Sequence, residues 1–240
     1  MVSIRITGLK KNYGEQTALH IDSLQIAPGS LTGIVGNNGA GKTTMFRLLL
    51  DLIRPEQGLA EIEGKAVKGS DHWKTFTGSY LDEGFLIGFL SPVEYFHFAA
   101  RLHGISEKET EERLEAYAGF LGDEAGGSSK TIRQLSSGNK QKVGIVAALM
   151  IRPALLVLDE PFNYLDPSSQ IMIRQMLQQI NHNKGTTMLV SSHNLNYLTD
   201  ICDRIVLLEK GKIVKDLTPP GDDLGEVEAY FRLQAGKPLP

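Results

Sequence analysis

The run Gly36-Asn37-Asn38-Gly39-Ala40-Gly41-Lys42-Thr43 constrains this chain more than any other feature. It follows a short apolar segment, Leu31–Val35. It opens a segment of helical spacing, from Lys42 through Ile53, that is expected to stop before Pro55. Strand, glycine-rich turn and helix in that order make a P-loop. The glycines let backbone N–H groups converge on phosphate oxygens, and the helix N-terminus adds a favourable dipole. The loop from Gly36 through Asn37, Asn38, Gly39, Ala40 and Gly41 to Lys42, Thr43 and Thr44 is therefore expected to hold the β- and γ-phosphates of a nucleotide. Lys42 would neutralise phosphate charge and the Thr43 hydroxyl would ligate Mg²⁺. A glycine turn with no ligand is the plain alternative.

Around this loop the pattern is of strands alternating with helices. Val2–Leu9 alternates, and Leu19–Ile26 is a second strand closed by Pro28–Gly29. Ala60–Ile62 with the turn at Gly64–Lys65 is a third. From Pro92 to Met150 the character changes to helical spacing with few β-branched residues, broken by a loop at Gly126–Ser129 and resuming from Ser137. Strand Leu155–Leu158, helix Ser168–Asn181, strand Thr187–Val190, helix Asn194–Cys202 and strand Arg204–Glu209 follow, with a turn at Gly211. The expectation is an α/β fold: a mostly parallel core sheet covered on both faces, antiparallel strands at the N-terminus and a helical insertion at about 92–150. One domain would span 1–220. A short tail, 221–240, carries an amphipathic stretch at Leu224–Leu233 read as a capping helix.

Composition bounds the function classes. The 240 residues carry a net charge of −3, which argues against bulk nucleic-acid binding. A single cysteine, Cys202, forms no internal disulfide and fits a reducing compartment as a buried structural thiol. The N-terminal residues lack the apolar core of a signal peptide, and the longest apolar stretch, Val143–Ile151, is well short of the roughly 20 residues that span a bilayer. Any membrane role is expected to come through a partner.

Two further motifs carry chemistry. Leu155–Leu158 ends in Asp159 and Glu160, and ligands in open α/β sheets bind at the carboxyl ends of strands. Asp159 is placed to hold Mg²⁺, and Glu160 to orient and polarise an attacking water. About twenty residues upstream, Leu135-Ser136-Ser137-Gly138-Asn139 opens the helix KQKVGIVAAL, presenting Ser136, Ser137 and Gly138 as anion donors at a helix start.

LSSGN followed by that helix resembles the signature motif of the ATP-binding-cassette (ABC) ATPases, usually LSGGQ. Ser137 stands for the first glycine and Asn139 for the glutamine. The resemblance covers Ile4 to about Asp216 with motifs in the family order. It implies a P-loop NTPase of the ABC ATPase type, in which two cassettes close head-to-tail on two ATP molecules. Each ATP would lie between Gly36–Thr44 of one chain and Ser136–Gly138 of the other. It further implies that Tyr13 stacks on adenine and that Asn163–Asp166 is the loop where protomers touch. His193 would contact the γ-phosphate and the water. Where relatives carry a Mg²⁺-touching glutamine this chain reads SYLDEGFL, which places Glu83 (or Asp82) there as a cofactor and metal contact.

What the resemblance implies is an ATPase subunit, with ATP and Mg²⁺ as cofactors, acting as a homodimer or heterodimer of cassettes. It would power transport, with export as the direction, through integral membrane subunits, from the cytoplasm on the inner face of the cell membrane. No direct nucleic-acid contact is expected. The partner groove would lie between the loop after Glu83 and the helix from Pro92, with Phe85, Phe89, Tyr95, Phe96 and Phe98 as lining or core. A soluble ABC ATPase acting on nucleic acid or ribosomes is the alternative. A generic P-loop kinase or GTPase is disfavoured by the missing Asn-Lys-x-Asp motif.

Overall fold

The computed structural model describes residues 2–126 and 130–218. The chain opens with a long hairpin, β1 (Ile4–Tyr13) and β2 (Gln16–Ile26), then runs through β3 (Leu31–Val35) into the glycine-rich loop and α1 (Lys42–Leu49). Next come β4 (Gln57–Ile62), β5 (Lys65–Ala66) and β6 (Thr77–Tyr80). Four helices follow: α2 (Pro92–Leu102), α3 (Glu107–Glu115), α4 (Ala118–Gly126) and α5 (Ser137–Met150). The chain then returns to β7 (Leu155–Leu158), α6 (Pro167–Lys184), β8 (Thr187–Ser192), β9 (Arg204–Glu209) and β10 (Lys212–Leu217).

Two sheets result. The antiparallel one has the order β2-β1-β4-β5, with Ile4 opposite Ile26 on one side and Ile62 on the other. The main sheet has the order β10-β9-β3-β8-β7-β6, parallel except for the edge hairpin β9–β10. All five residues of β3 are buried because both faces are covered. Period-two alternation divides the sheet between two cores. Leu31, Val35, Leu156, Leu158, Met188 and Val190 pack with α5 and α6, while Ile34, Leu155, Val157, Leu189 and Val206 pack with Met45 and Phe46 of α1 and with the antiparallel sheet. Phe46 is fully buried, so Phe46→Ala would cost about 3–5 kcal/mol.

The expected architecture is present, with local corrections. α1 ends at Leu49 instead of running on to Ile53, because Asp51 takes a left-handed φ of 51°. The segment expected as a helix from Asn194 to Cys202 holds one 3₁₀ turn, Leu195–Tyr197, capped by the Asn194 side chain. β6 and β10 were not expected as strands. β6 is an edge strand paired to β7, and close packing dictates its Gly78: a Cβ there would fall 2.2 Å from the Ala148 carbonyl oxygen. β10 follows a tight turn in which Lys210 and Gly211 both have positive φ. α4 bends at Gly122, whose φ is 66°. No described helix is long and apolar enough to cross a membrane. Most of the expected loop at Gly126–Ser129 and the tail with its Leu224–Leu233 stretch lie outside the described residues.

Candidate nucleotide site

The site forms where β3, β7 and β8 end side by side. β3 delivers the P-loop, in which Gly36 is obligatory: a Cβ there would meet the Leu208 carbonyl oxygen at 2.4 Å. Gly41, with φ 107°, turns the chain into α1 against the Ala18 carbonyl. Lys42, 5% exposed, folds back over the loop, donating to the Gly36 carbonyl at 2.6 Å and the Asn37 carbonyl at 3.4 Å.

Strand β7 delivers the two carboxylates. Asp159 is buried and accepts from the Thr43 hydroxyl at 2.5 Å through Oδ2 and from the Ser191 hydroxyl through Oδ1. Burial raises its carboxyl above the ordinary aspartate range, and the charge of Glu160 adds to that; the Ser191 and Thr43 hydrogen bonds and Lys42 oppose it. Glu160 takes a left-handed φ of 48°, an unfavourable backbone for a non-glycine residue, held by its N–H donating to Ser191 Oγ at 2.8 Å and by Gln141 donating to its carbonyl at 2.9 Å. That backbone aims the side chain between two groups. Oε1 lies 3.1 Å from Lys42 Nζ, and Oε2 accepts from the His193 ring Nδ1 at 2.8 Å. A carboxylate can only accept, so Nδ1 of His193 is assigned the proton on that chemistry.

Two cavities share Thr43 and Glu160 in their walls. One, of about 620 Å³, is bounded by Tyr13, Thr17, Asn38 through Thr44, Glu160 and Lys210. That is the size of a small-ligand cleft. Tyr13 stands at its rim, half exposed, with Lys11 Nζ 5.4 Å from the ring centroid. The second is bounded by Thr43, Arg47, Glu83, Ser137, Gln141, Asp159, Glu160 and Tyr164. Of the expected site residues, Gly36, Asn37, Ser136, Gly138 and His193 line neither cavity, though Gly36 and Asn37 hold Lys42 and His193 holds Glu160. Ser136 caps α5, accepting from the Asn139 N–H at 3.3 Å, and Gly138 lies against the Tyr164 carbonyl, 2.6 Å from where its Cβ would fall. The sequence reading missed Ser191, which joins Asp159 to the Glu160 backbone, and Gln141. Ser191 was nevertheless visible at the end of an apolar strand, two residues before His193.

The donor set fits Mg²⁺. One hydroxyl and one buried carboxylate, Thr43 and Asp159, would be hard oxygen ligands for it. Among the described residues no group of three or more His, Cys, Asp or Glu side chains converges, so this is not an all-protein metal cage.

A P-loop between strand and helix, an Asp-Glu strand end and a histidine on that glutamate define a nucleotide-triphosphate hydrolase. Comparison with known proteins gives its family. The ABC transporter family model matches residues 19–163. The chain is 35% identical to the bacitracin transport ATP-binding protein BcrA of Enterococcus faecalis, over 89% of this chain and 68% of that protein. It is 32% identical to the tungstate uptake system ATP-binding protein TupC of Peptoclostridium acidaminophilum, over 96% of this chain and 100% of that one. A dimeric bacterial ABC transporter cassette superposes with a TM-score of 0.81 at 25% identity, covering 91% of this chain and 100% of that cassette. The chain belongs to the ABC transporter family, as an ATP-binding and ATP-hydrolysing subunit.

Proposed function

We propose that this subunit closes with a second cassette over two ATP molecules and thereby drives a separate membrane-spanning subunit from the inner face of the cell membrane. The observation that carries the reading is the division of the site. Lys42, Thr43, Asp159 and Glu160 line the cleft and His193 bonds to Glu160, whereas the start of α5 reaches it only through Ser137, with Ser136 and Gly138 outside its walls. A signature turn that lends its own cleft only Ser137 leaves Ser136 and Gly138 to meet the phosphates of a partner.

Within each cleft the roles follow from chemistry. The loop N–H groups and Lys42 would carry the β- and γ-phosphate charge, and Tyr13 would stack on the base. Thr43 and Asp159 would hold Mg²⁺, which supplies charge neutralisation, with Glu83 beside them. Glu160 would accept a proton from the attacking water while His193 fixes its carboxylate and faces the γ-phosphate. Catalysis of this kind is mostly positioning and charge stabilisation. The 1–220 unit would act as one ATP-binding domain with 92–150 as its helical subdomain.

The contact for the membrane subunit is proposed at the groove lined by Leu52, Trp73, Phe85, Tyr95 and Leu102. Phe85, Phe89, Phe98 and Leu102 are exposed around it, whereas Phe96 is core. Outward transport is the proposed direction, from the form of the Tyr80–Gly84 loop. The test is affinity purification of the tagged protein from detergent-solubilised native membranes with mass spectrometry. A stoichiometric multi-span protein is expected, and recovery only with ribosomal or DNA-bound partners would overturn the reading.

A further inference from the structure

The loop after β6 sets two carboxylates, Asp82 and Glu83, at a cleft built for a polyanion. Glu83 lines the same cavity as Thr43, Asp159 and Glu160. A third carboxylate there should repel a triphosphate, yet each member of the loop faces a cation from a different part of the fold. Arg47 on α1 places Nη2 3.3 Å from Asp82 Oδ2. Lys140 on α5 places Nζ 3.2 Å from Glu83 Oε2, with the lysine side chain only 20% exposed. Asp82 also caps the following 3₁₀ turn by accepting from the Gly84 N–H at 2.8 Å, which fixes the loop between its two cations. The helix bearing Arg47 begins in the P-loop, and the helix bearing Lys140 begins at the Ser136 turn.

We propose that Lys140 is a positioning residue for the nucleotide reaction, acting through Glu83. It neutralises that carboxylate so the loop tolerates the triphosphate, and with the Arg47–Asp82 pair it ties the first turn of α5 to α1 across the cleft. The consequence is a coupling of definite sign. With Lys140 gone, Glu83 stands uncompensated beside the phosphates. With both charges gone, the repulsion goes too. A lysine that only supports the fold would show no such recovery.

The proposal rests on reading this cleft as the ATP site, and the experiment separates the two. Binding of a fluorescent ATP analogue with excess Mg²⁺ is titrated onto the full chain and onto Lys140→Met, Glu83→Gln and the double variant, with Lys42→Ala alongside. Lys140→Met is expected to weaken ATP binding about fivefold and ADP binding less, because ADP carries less charge; Glu83→Gln in the same chain is expected to restore ATP affinity to within about twofold. Lys140→Gln replaces the methionine variant if that one fails to fold. Unchanged affinity in Lys140→Met, or a double variant as weak as the single, overturns the proposal. Undiminished binding by Lys42→Ala would overturn the site assignment instead.

Discussion

His193 holds Glu160 twice through a single oxygen, its backbone N–H donating to Oε2 at 3.2 Å and its ring Nδ1 to the same atom at 2.8 Å. The other oxygen of that carboxylate faces Lys42. The glutamate expected to act as base is therefore anchored at Oε2, while its buried Oε1 pairs with the Lys42 charge without a hydrogen bond. His193→Ala removes the ring contact but keeps the backbone one. Turnover should fall by about two orders of magnitude, with nucleotide affinity changed only a fewfold. Steady-state hydrolysis and equilibrium binding measured on the same preparation check this. Undiminished turnover would remove His193 from the site.

Asp159 makes a prediction in pH. A carboxyl whose value is raised by folding keeps its proton in the native state where the unfolded chain has already released it. Stability then falls as pH rises from the ordinary aspartate range through the raised value. Above the raised value the ionised, buried Asp159 disfavours the folded chain relative to its protonated form. In the absence of nucleotide Asp159→Asn should therefore gain in melting temperature on the parent as pH rises from the ordinary aspartate range, and lose that gain as pH is lowered again. The same variant should lose the extra stabilisation that Mg²⁺-ATP gives the parent. Thermal melts across pH, with and without Mg²⁺-ATP, read both effects.

Tyr164 stands 75% exposed with a left-handed φ of 60°, beside the turn at Gly138. A bulky residue in that conformation costs roughly 1 kcal/mol, and asparagine tolerates it better. Tyr164→Asn should raise the monomer's melting temperature by about 2–4 °C. It should also weaken ATP-driven association, because the ring sits on the loop assigned to the partner cassette. A melting temperature that falls would contradict the strain argument.

The parts of the fold written in side-chain pattern were legible in the sequence. The P-loop, the Leu155–Leu158 strand with its Asp-Glu end, and the Ser137–Met150 helix are all specified by local residues. β6 was not, since Thr77-Gly78-Ser79-Tyr80 has a weak strand pattern and owes its state to pairing with β7 and to packing on α5. Tyr80 illustrates this, its ring filling the space a Cβ on Gly144 would need. β10 alternates weakly, with only Leu217 buried, and depends on the Lys210–Gly211 turn. The apparent helix after His193 failed for the opposite reason: its buried Leu195, Leu198, Ile201 and Cys202 recur at helical spacing, but Asn194, Asn196, Thr199 and Asp200 favour turns and caps and the chain must return to β9. In the site, the nucleotide-facing residues came from contiguous motifs. The contacts made by Ser191, Gln141 and Lys140 are tertiary, and no spacing rule announces them.

A site shared between two chains requires ATP to bring them together. Glu160→Gln keeps the P-loop, removes the charge opposite Lys42 and takes away the base, so it should bind ATP, turn over at least about a hundredfold more slowly and accumulate the closed pair. Sedimentation of this variant with and without Mg²⁺-ATP is the direct measurement, repeated on the double variant that also carries Ser136→Arg. The account predicts a monomer without nucleotide, twice that mass with ATP, and a return to monomer when Ser136→Arg is present although ATP still binds. A species that stays monomeric with ATP bound, or a dimer indifferent to Ser136→Arg, would contradict it.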